Sequence, residues 1–174
     1  MTAALSGDYE ILDVVNEQDQ VVGQARRSEV YAKKLPFRVV YGLIENDKGQ
    51  LWIPRRTESK KVCPGALDMS VAGHVAAGET YEQGFRREAQ EEIFLDVDTV
   101  SWSLLGSLNP FKDGSYAFSY VYKIKMNESP EYNKSDYSDF YWLTPQELMQ
   151  RLDSGEAAKN DLPLLLRIFY KDFL

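Results

Sequence analysis

The sequence predicts an α/β protein with a mixed β-sheet, a central helix and an N-terminal hairpin. Three observations carry that expectation. Short β-branched and aromatic runs recur between polar turns, one strong helix signal lies mid-chain, and two apolar helix signals close the C-terminal end. The 174 residues predict a single domain spanning 1–174, long enough to bury a core.

The elements follow in order. Runs Tyr9 to Val15 and Gln20 to Ala25 flank Glu17-Gln18-Asp19 and predict the hairpin. Arg27 to Lys34 is a short helix candidate. Phe37 to Ile44 and Gln50 to Pro54 predict strands joined by Asn46-Asp47-Lys48-Gly49, where the glycine supplies the positive φ of a tight turn. After Pro64-Gly65, a short strand over Met69 to Val75 leads into Ala77-Gly78-Glu79-Thr80. Thr80 followed by Gln83 fits a capping box, so a helix is predicted from Tyr81 to about Phe94. Gly84 inside it costs about 1 kcal/mol of helix propensity. Strands are predicted at Val100 to Leu108, Tyr116 to Lys125 and Phe140 to Leu143. One helix follows Thr144-Pro145 and another covers Leu162 to Tyr170, each with proline near its start, where the missing N–H does no harm.

Composition narrows the function. A net charge of −7 disfavours nucleic acid polymers and anionic membranes, which need a surplus of Lys and Arg on one face, and points to a small-molecule partner. No apolar run reaches the roughly 20 residues of a membrane span, and Met1 to Asp8 lacks the basic and apolar regions of a signal peptide. Cys63 is the single cysteine and forms no internal disulfide. A cytoplasmic location is the expectation. Oligomeric state is not legible.

The chemistry concentrates in Arg87-Glu88-Ala89-Gln90-Glu91-Glu92. At about 100° per residue, Phe85, Ala89 and Ile93 form an apolar seam, with Glu92 about 20° from Phe85 and Glu88 and Glu91 on the same flank. Like charges beside a buried face raise one another's pKa unless a cation compensates. Mg²⁺ (or Mn²⁺) is the economical cation, because it takes oxygen ligands and bridges carboxylates to substrate phosphates. The competing reading is a solvated acidic face with Arg87 paired to Glu91.

Context favours the metal. Gly73, five residues, Glu79, seven residues, then Arg87-Glu88-Ala89-Gln90-Glu91-Glu92-Ile93-Phe94-Leu95 resembles the Nudix box at eight of its nine specified positions. The resemblance implies a Nudix-type α/β/α sandwich. It also implies that Glu88, Glu91 and Glu92 bind metal, with the carbonyl of Ala72 or Gly73 as a further ligand. Glu79 and Arg87 then form a structural ion pair. The departure is Phe94, which stands where the family has the glycine that ends the helix in a left-handed conformation; a phenylalanine there is strained by about 1 kcal/mol unless the helix ends differently.

A second likeness covers Ile11 to Leu148. Leu12-Asp13-Val14-Val15-Asn16-Glu17, Lys48-Gly49-Gln50-Leu51, Arg55-Arg56, Ser59-Lys60-Lys61 and Pro64-Gly65 resemble isopentenyl-diphosphate isomerase, which shares the Nudix fold. That likeness makes Arg56 and Lys60 the diphosphate-binding residues. The isomerase needs a cysteine where this chain has Ala72 in Ser70-Val71-Ala72-Gly73-His74, and it needs several histidines where this chain has His74 alone. Alanine carries no proton.

The expectation is therefore a metal-dependent hydrolase cleaving a diphosphate linkage in a nucleoside diphosphate derivative or nucleotide. The catalytic set is Glu92, Glu91 and Glu88, and the general base is Glu92, Glu91, Asp136 or Asp139. Phe37, Tyr41, Phe111 and Tyr116 are candidates to stack a base, or else core and loop fillers. The alternatives are an isomerase-like enzyme and a non-catalytic nucleotide-binding module.

Overall fold

A computed structural model describes residues 9–174. The expectation about a leader in Met1 to Asp8 lies outside the described residues. β1 (Ile11–Val15) and β2 (Val21–Arg26) pair antiparallel as a separate two-stranded sheet, followed by α1 (Arg27–Lys33). The main sheet takes β3 (Arg38–Glu45), β4 (Leu51–Arg56), β5 (Val71–His74), β6 (Ser101–Leu108), β7 (Phe118–Lys125) and β8 (Tyr137–Leu143). The helices are α2 (Tyr81–Ile93), α3 (Pro110–Asp113), α4 (Pro145–Asp153) and α5 (Leu162–Phe169). Strand order is β6-β7-β3-β4-β8, with β5 also paired to β3. β3 and β7 run parallel and the other pairings are antiparallel, so the sheet is mixed.

β3 explains the layering. Its side chains alternate between two buried faces, which is why Arg38–Glu45 reads as an almost unbroken apolar run. Val39, Tyr41 and Leu43 join Leu148, Leu162, Leu165 and Leu166 of α4 and α5 on one face. Val40 and Ile44 join Phe85, Ala89 and Ile93 of α2 on the other. The seam inferred from helical spacing is thus the buried stripe of α2, and full burial of a side chain such as Phe85 contributes about 1.5–3 kcal/mol. Helices cover both faces of the sheet, giving the α/β/α sandwich with its N-terminal hairpin.

Local chemistry fixes both ends of α2. The Thr80 side chain accepts from the Gln83 backbone N–H, while Gln83 Oε1 accepts from the Thr80 N–H at 2.9 Å. At the other end Phe94 adopts φ 49° and ψ 29°, the left-handed conformation that glycine takes without steric cost. Phenylalanine ends the helix the way glycine would.

Two departures from expectation have a clear local cause. β8 starts at Tyr137 rather than Phe140, because Tyr137 is buried and paired opposite Arg56 while the exposed Ser138 and Asp139 hide the apolar pattern. The single-turn α3 was not predicted; Asn109 caps it by accepting from the Phe111 N–H at 2.9 Å. No helix among the described residues is long and apolar enough to cross a membrane.

Candidate active site

A cleft of ≈ 1030 Å³ opens where the C-terminal half of α2 faces β5, the end of β4 and the loop before α5. Its lining includes Glu88, Glu91 and Glu92 of α2 and the cations Arg56, Lys60 and Lys159.

Glu88 is the most sharply placed. A Cβ on residue 73 would fall 2.0 Å from the Glu88 Cδ, so only glycine at that position leaves room for the carboxyl group against the backbone of β5. Arg87 then ties helix to loop. Its Nε donates to Glu79 Oε1 at 2.8 Å and its Nη2 to Glu79 Oε2 at 3.0 Å and to the His74 carbonyl at 2.9 Å. Its Nη1 donates to Glu88 Oε1 at 2.7 Å. One guanidinium thus serves two carboxylates.

Glu92 accepts from the Ala72 backbone N–H at 2.9 Å. Burial, then the neighbouring charges of Glu88 and Asp68, push its pKa well above the ordinary carboxylate range. Burial also raises Glu88, with Arg87 opposing the shift. Tyr137 is fully buried with its hydroxyl close to Glu92, and its pKa is raised by burial and then by the Glu92 charge. Glu91 is different: its side chain is 60% exposed and touches Arg87 only at 3.5 Å.

The three glutamates are therefore split between two enclosed carboxylates and one open one, and among the described residues no three acidic, histidine or cysteine side chains point at a common spot. The donor chemistry still fits a hard divalent cation. It is oxygen-only, it crowds two enclosed carboxylates of which only Glu88 is bonded by Arg87, and the missing Cβ of Gly73 is what lets the Glu88 carboxyl lie against the backbone.

The cations are paired with nearby acids and carbonyls. Arg56 is buried; its Nη1 donates to Asp68 Oδ2 at 2.7 Å, its Nη2 to the Val62 carbonyl at 2.9 Å, and its Nε to the Val62 and Cys63 carbonyls. One N–H on each terminal nitrogen remains for a ligand. Lys60 is salt-bridged to Asp136. Of the two downstream base candidates, Asp136 lines the cleft, whereas Asp139 is exposed on β8 and bonds the adjacent Phe140 N–H at 2.8 Å.

Beyond the glutamates the cleft becomes aromatic. Tyr41 and Tyr116 line it, Phe37 packs edge-on behind Tyr116 with centroids 5.5 Å apart, and Phe111 lies outside it, against Phe118. His74 closes β5 and hydrogen-bonds the Tyr31 hydroxyl at 2.7 Å; burial, then Arg27, lowers its pKa to about 3, so it stays neutral. Tyr31, Lys159 and Asp161 line the cleft and were missed by sequence reasoning. Lys159 and Asp161 arrive through a backbone bridge between Leu67 and Ala158, a long-range contact with no local signature.

Fold and cleft define an enzyme of the α/β/α sandwich class, with an acidic helix set against a basic wall. The NUDIX domain family model matches residues 35–165. A Nudix hydrolase of Deinococcus radiodurans is 47% identical over 163 residues, covering 94% of this chain and 95% of its own. An uncharacterized Nudix hydrolase of Nostoc sp. is 48% identical over 164 residues, covering 94% and 97%. A crystal structure of a D. radiodurans protein superposes with a TM-score of 0.88 at 47% identity, covering 92% of this chain and 99% of that one. The chain belongs to the Nudix hydrolase family, hydrolases acting on phosphorus-containing anhydrides.

Proposed function

We propose that the chain is a divalent-metal-dependent hydrolase that cleaves a diphosphate linkage in a nucleoside diphosphate derivative or a nucleotide. The observation that carries this reading is the enclosed pair Glu88 and Glu92, seated against the Ala72–Gly73 backbone in a cleft whose facing wall is basic. The family supports the reaction type.

Glu88, Glu91 and Glu92 would hold Mg²⁺ or Mn²⁺, with the backbone at Ala72 or Gly73 completing the set. Such an ion, when bound, lowers the pKa of a water and neutralises charge on phosphate oxygens. The chain's own residues do the rest. Glu79 and Arg87 hold the loop Gly73–Glu79 against α2, which keeps Glu88 and Glu92 in place. Lys60 exchanges Asp136 for a substrate phosphate, and Arg56 offers its two remaining N–H groups. Asp136, freed from Lys60, then joins Glu92 and Glu91 as a base within reach of the cleft. Ala72 offers no proton to an alkene, which disfavours isomerisation. The partner is a small diphosphate substrate, in the cytoplasm.

The test is a panel of nucleotides, nucleoside diphosphate derivatives and isopentenyl diphosphate, incubated with Mg²⁺ or Mn²⁺ in deuterated water. Release of phosphate or phosphomonoester is the expected outcome. Deuterium entering an allylic product without phosphate release would replace this reading with an isomerase, and binding without any turnover would replace it with a binding module.

A further inference from the structure

Resting on that reading, we infer that Lys159 is a phosphate-binding residue, placed in the cleft between the glutamate helix and the aromatic end to hold the diphosphate of the substrate. Nothing in the box or in the isomerase likeness points to it. The other cations lining the cleft are committed elsewhere. Arg87 is divided between Glu79 and Glu88, and Lys60 is bound to Asp136. Arg27 lies over the Tyr31 ring and faces Glu10 at 3.8 Å. Arg56 holds Asp68 at 2.7 Å. Lys159 faces that same Asp68 oxygen, Oδ2, at 3.7 Å, beyond hydrogen-bond reach and behind a partner that already neutralises it.

Arg56, Asp68 and Lys159 therefore form a trio with one positive charge in excess, and Lys159 is its loosely held member. Its side chain is 27% exposed while Asp68 is fully enclosed, so the ammonium is the part of the trio that an incoming anion meets. The flexible stem lets a point charge move toward a phosphate at little cost.

The backbone beneath it is fixed. Leu67 N–H donates to the Ala157 carbonyl at 2.8 Å, Lys159 N–H to the Leu67 carbonyl at 2.9 Å, and Leu162 N–H to the Lys159 carbonyl at 3.0 Å. A cation on a pinned backbone with a free-moving head suits anion capture. Its position is central as well. Behind burial and closer neighbours, its charge is felt at Glu92, His74 and Asp161 alike. A diphosphate spanning acidic helix and aromatic wall passes this point.

The experiment uses the full chain with Mg²⁺ and inorganic pyrophosphate as probe, read by calorimetry, alongside Lys159→Met and Lys159→Arg. Methionine keeps the stem's packing without the charge. Pyrophosphate binding at least about tenfold weaker in Lys159→Met, partly restored in Lys159→Arg, with an unchanged melting temperature and a Mn²⁺ affinity that is not weakened, is the expected result. A purely structural lysine would shift the melting temperature and leave the binding ratio near one, which overturns the inference. So does a wild-type protein that binds no pyrophosphate. If Lys159→Met does not fold, Lys159→Gln takes its place with the same readouts. Binding that depends on Lys159 in a protein that turns over no diphosphate would keep this assignment and discard the hydrolase reading.

Discussion

The two halves of α2 are built to opposite ends. In the first, every polar device is matched: Thr80 and Gln83 cap each other, and Glu79 receives both Arg87 and the Ala76 N–H. In the second, Glu88 and Glu92 are enclosed near each other and share less positive charge than they carry, and the helix stops on a left-handed phenylalanine. The helix is stabilised where it is anchored, and it carries crowded charge where it meets the cleft and strain at the end just beyond. Local strain and crowded charge tend to mark working sites, because the free energy given up there is recovered only when a ligand arrives.

The largest test of that contrast is Glu92→Gln. If Glu92 holds the ion that carries transition-state charge, hydrolysis should fall by roughly 10²–10⁴-fold, the equivalent of several kcal/mol. Metal-free stability should move the other way. A carboxyl whose folded pKa lies above its unfolded value costs nothing below that unfolded value of 4.5, and costs progressively more as pH rises above it. Glu92→Gln should therefore match wild type in acid and exceed it at neutral pH in chemical denaturation without metal. A destabilised variant at neutral pH would make Glu92 structural.

Gly73→Ala separates position from charge. Every carboxylate remains, but the new methyl falls on the Glu88 carboxyl, which must swing out of its seat. Overpacking of this kind costs about 1–3 kcal/mol, and activity should collapse with it. Full activity would mean that the seat of Glu88 is irrelevant to catalysis.

Arg87→Ala attacks the anchored half. It strips Glu79 and Glu88 of their shared partner, and because the arginine side chain is 29% exposed the loss should be about 1 to 3 kcal/mol rather than that of a fully buried pair. Denaturant midpoints read the stability and kcat/KM the activity; both should drop. A variant with unchanged midpoint would remove Arg87 from the anchoring role.

The same contrast explains what was legible. The anchored half follows from neighbours in sequence, through the capping box and the i, i+8 pair of Glu79 and Arg87, and so does the buried stripe of Phe85, Ala89 and Ile93 that runs the length of the helix. The facing wall does not. Arg56 could be placed at a strand end, but its commitment to Asp68 depends on how the loop over Thr57 to Leu67 folds back. Lys159 and Asp161 reach the cleft only because Ala158 bridges Leu67 across 91 residues, and no periodicity announces such a contact. Spacing put three glutamates on one flank, and all three line the cleft, but packing encloses Glu88 and Glu92 and leaves the Glu91 side chain 60% exposed.

The smallest effect should come from Phe94→Gly, and it is also the cleanest separation of strain from function. Phe94 holds φ 49°, where a Cβ crowds the backbone and glycine does not, so the substitution removes about 1 kcal/mol of strain. Against this stands the extra backbone freedom of glycine in the unfolded chain, which takes back part of the gain. Phe94 is 52% exposed, so little buried apolar area is lost. A net rise in stability of up to about 1 kcal/mol, equal to a few degrees in melting temperature for a chain of this length, is expected. Glu88 and Glu92 lie upstream of this residue, and the Leu95 N–H still reaches the Ala89 carbonyl at 3.2 Å, so kcat and KM should stay within twofold. Destabilisation would show that the ring packs usefully where it is. A gain in stability accompanied by lost activity would show that the strained end of the helix sets the position of the glutamates, extending the working half of α2 by one residue.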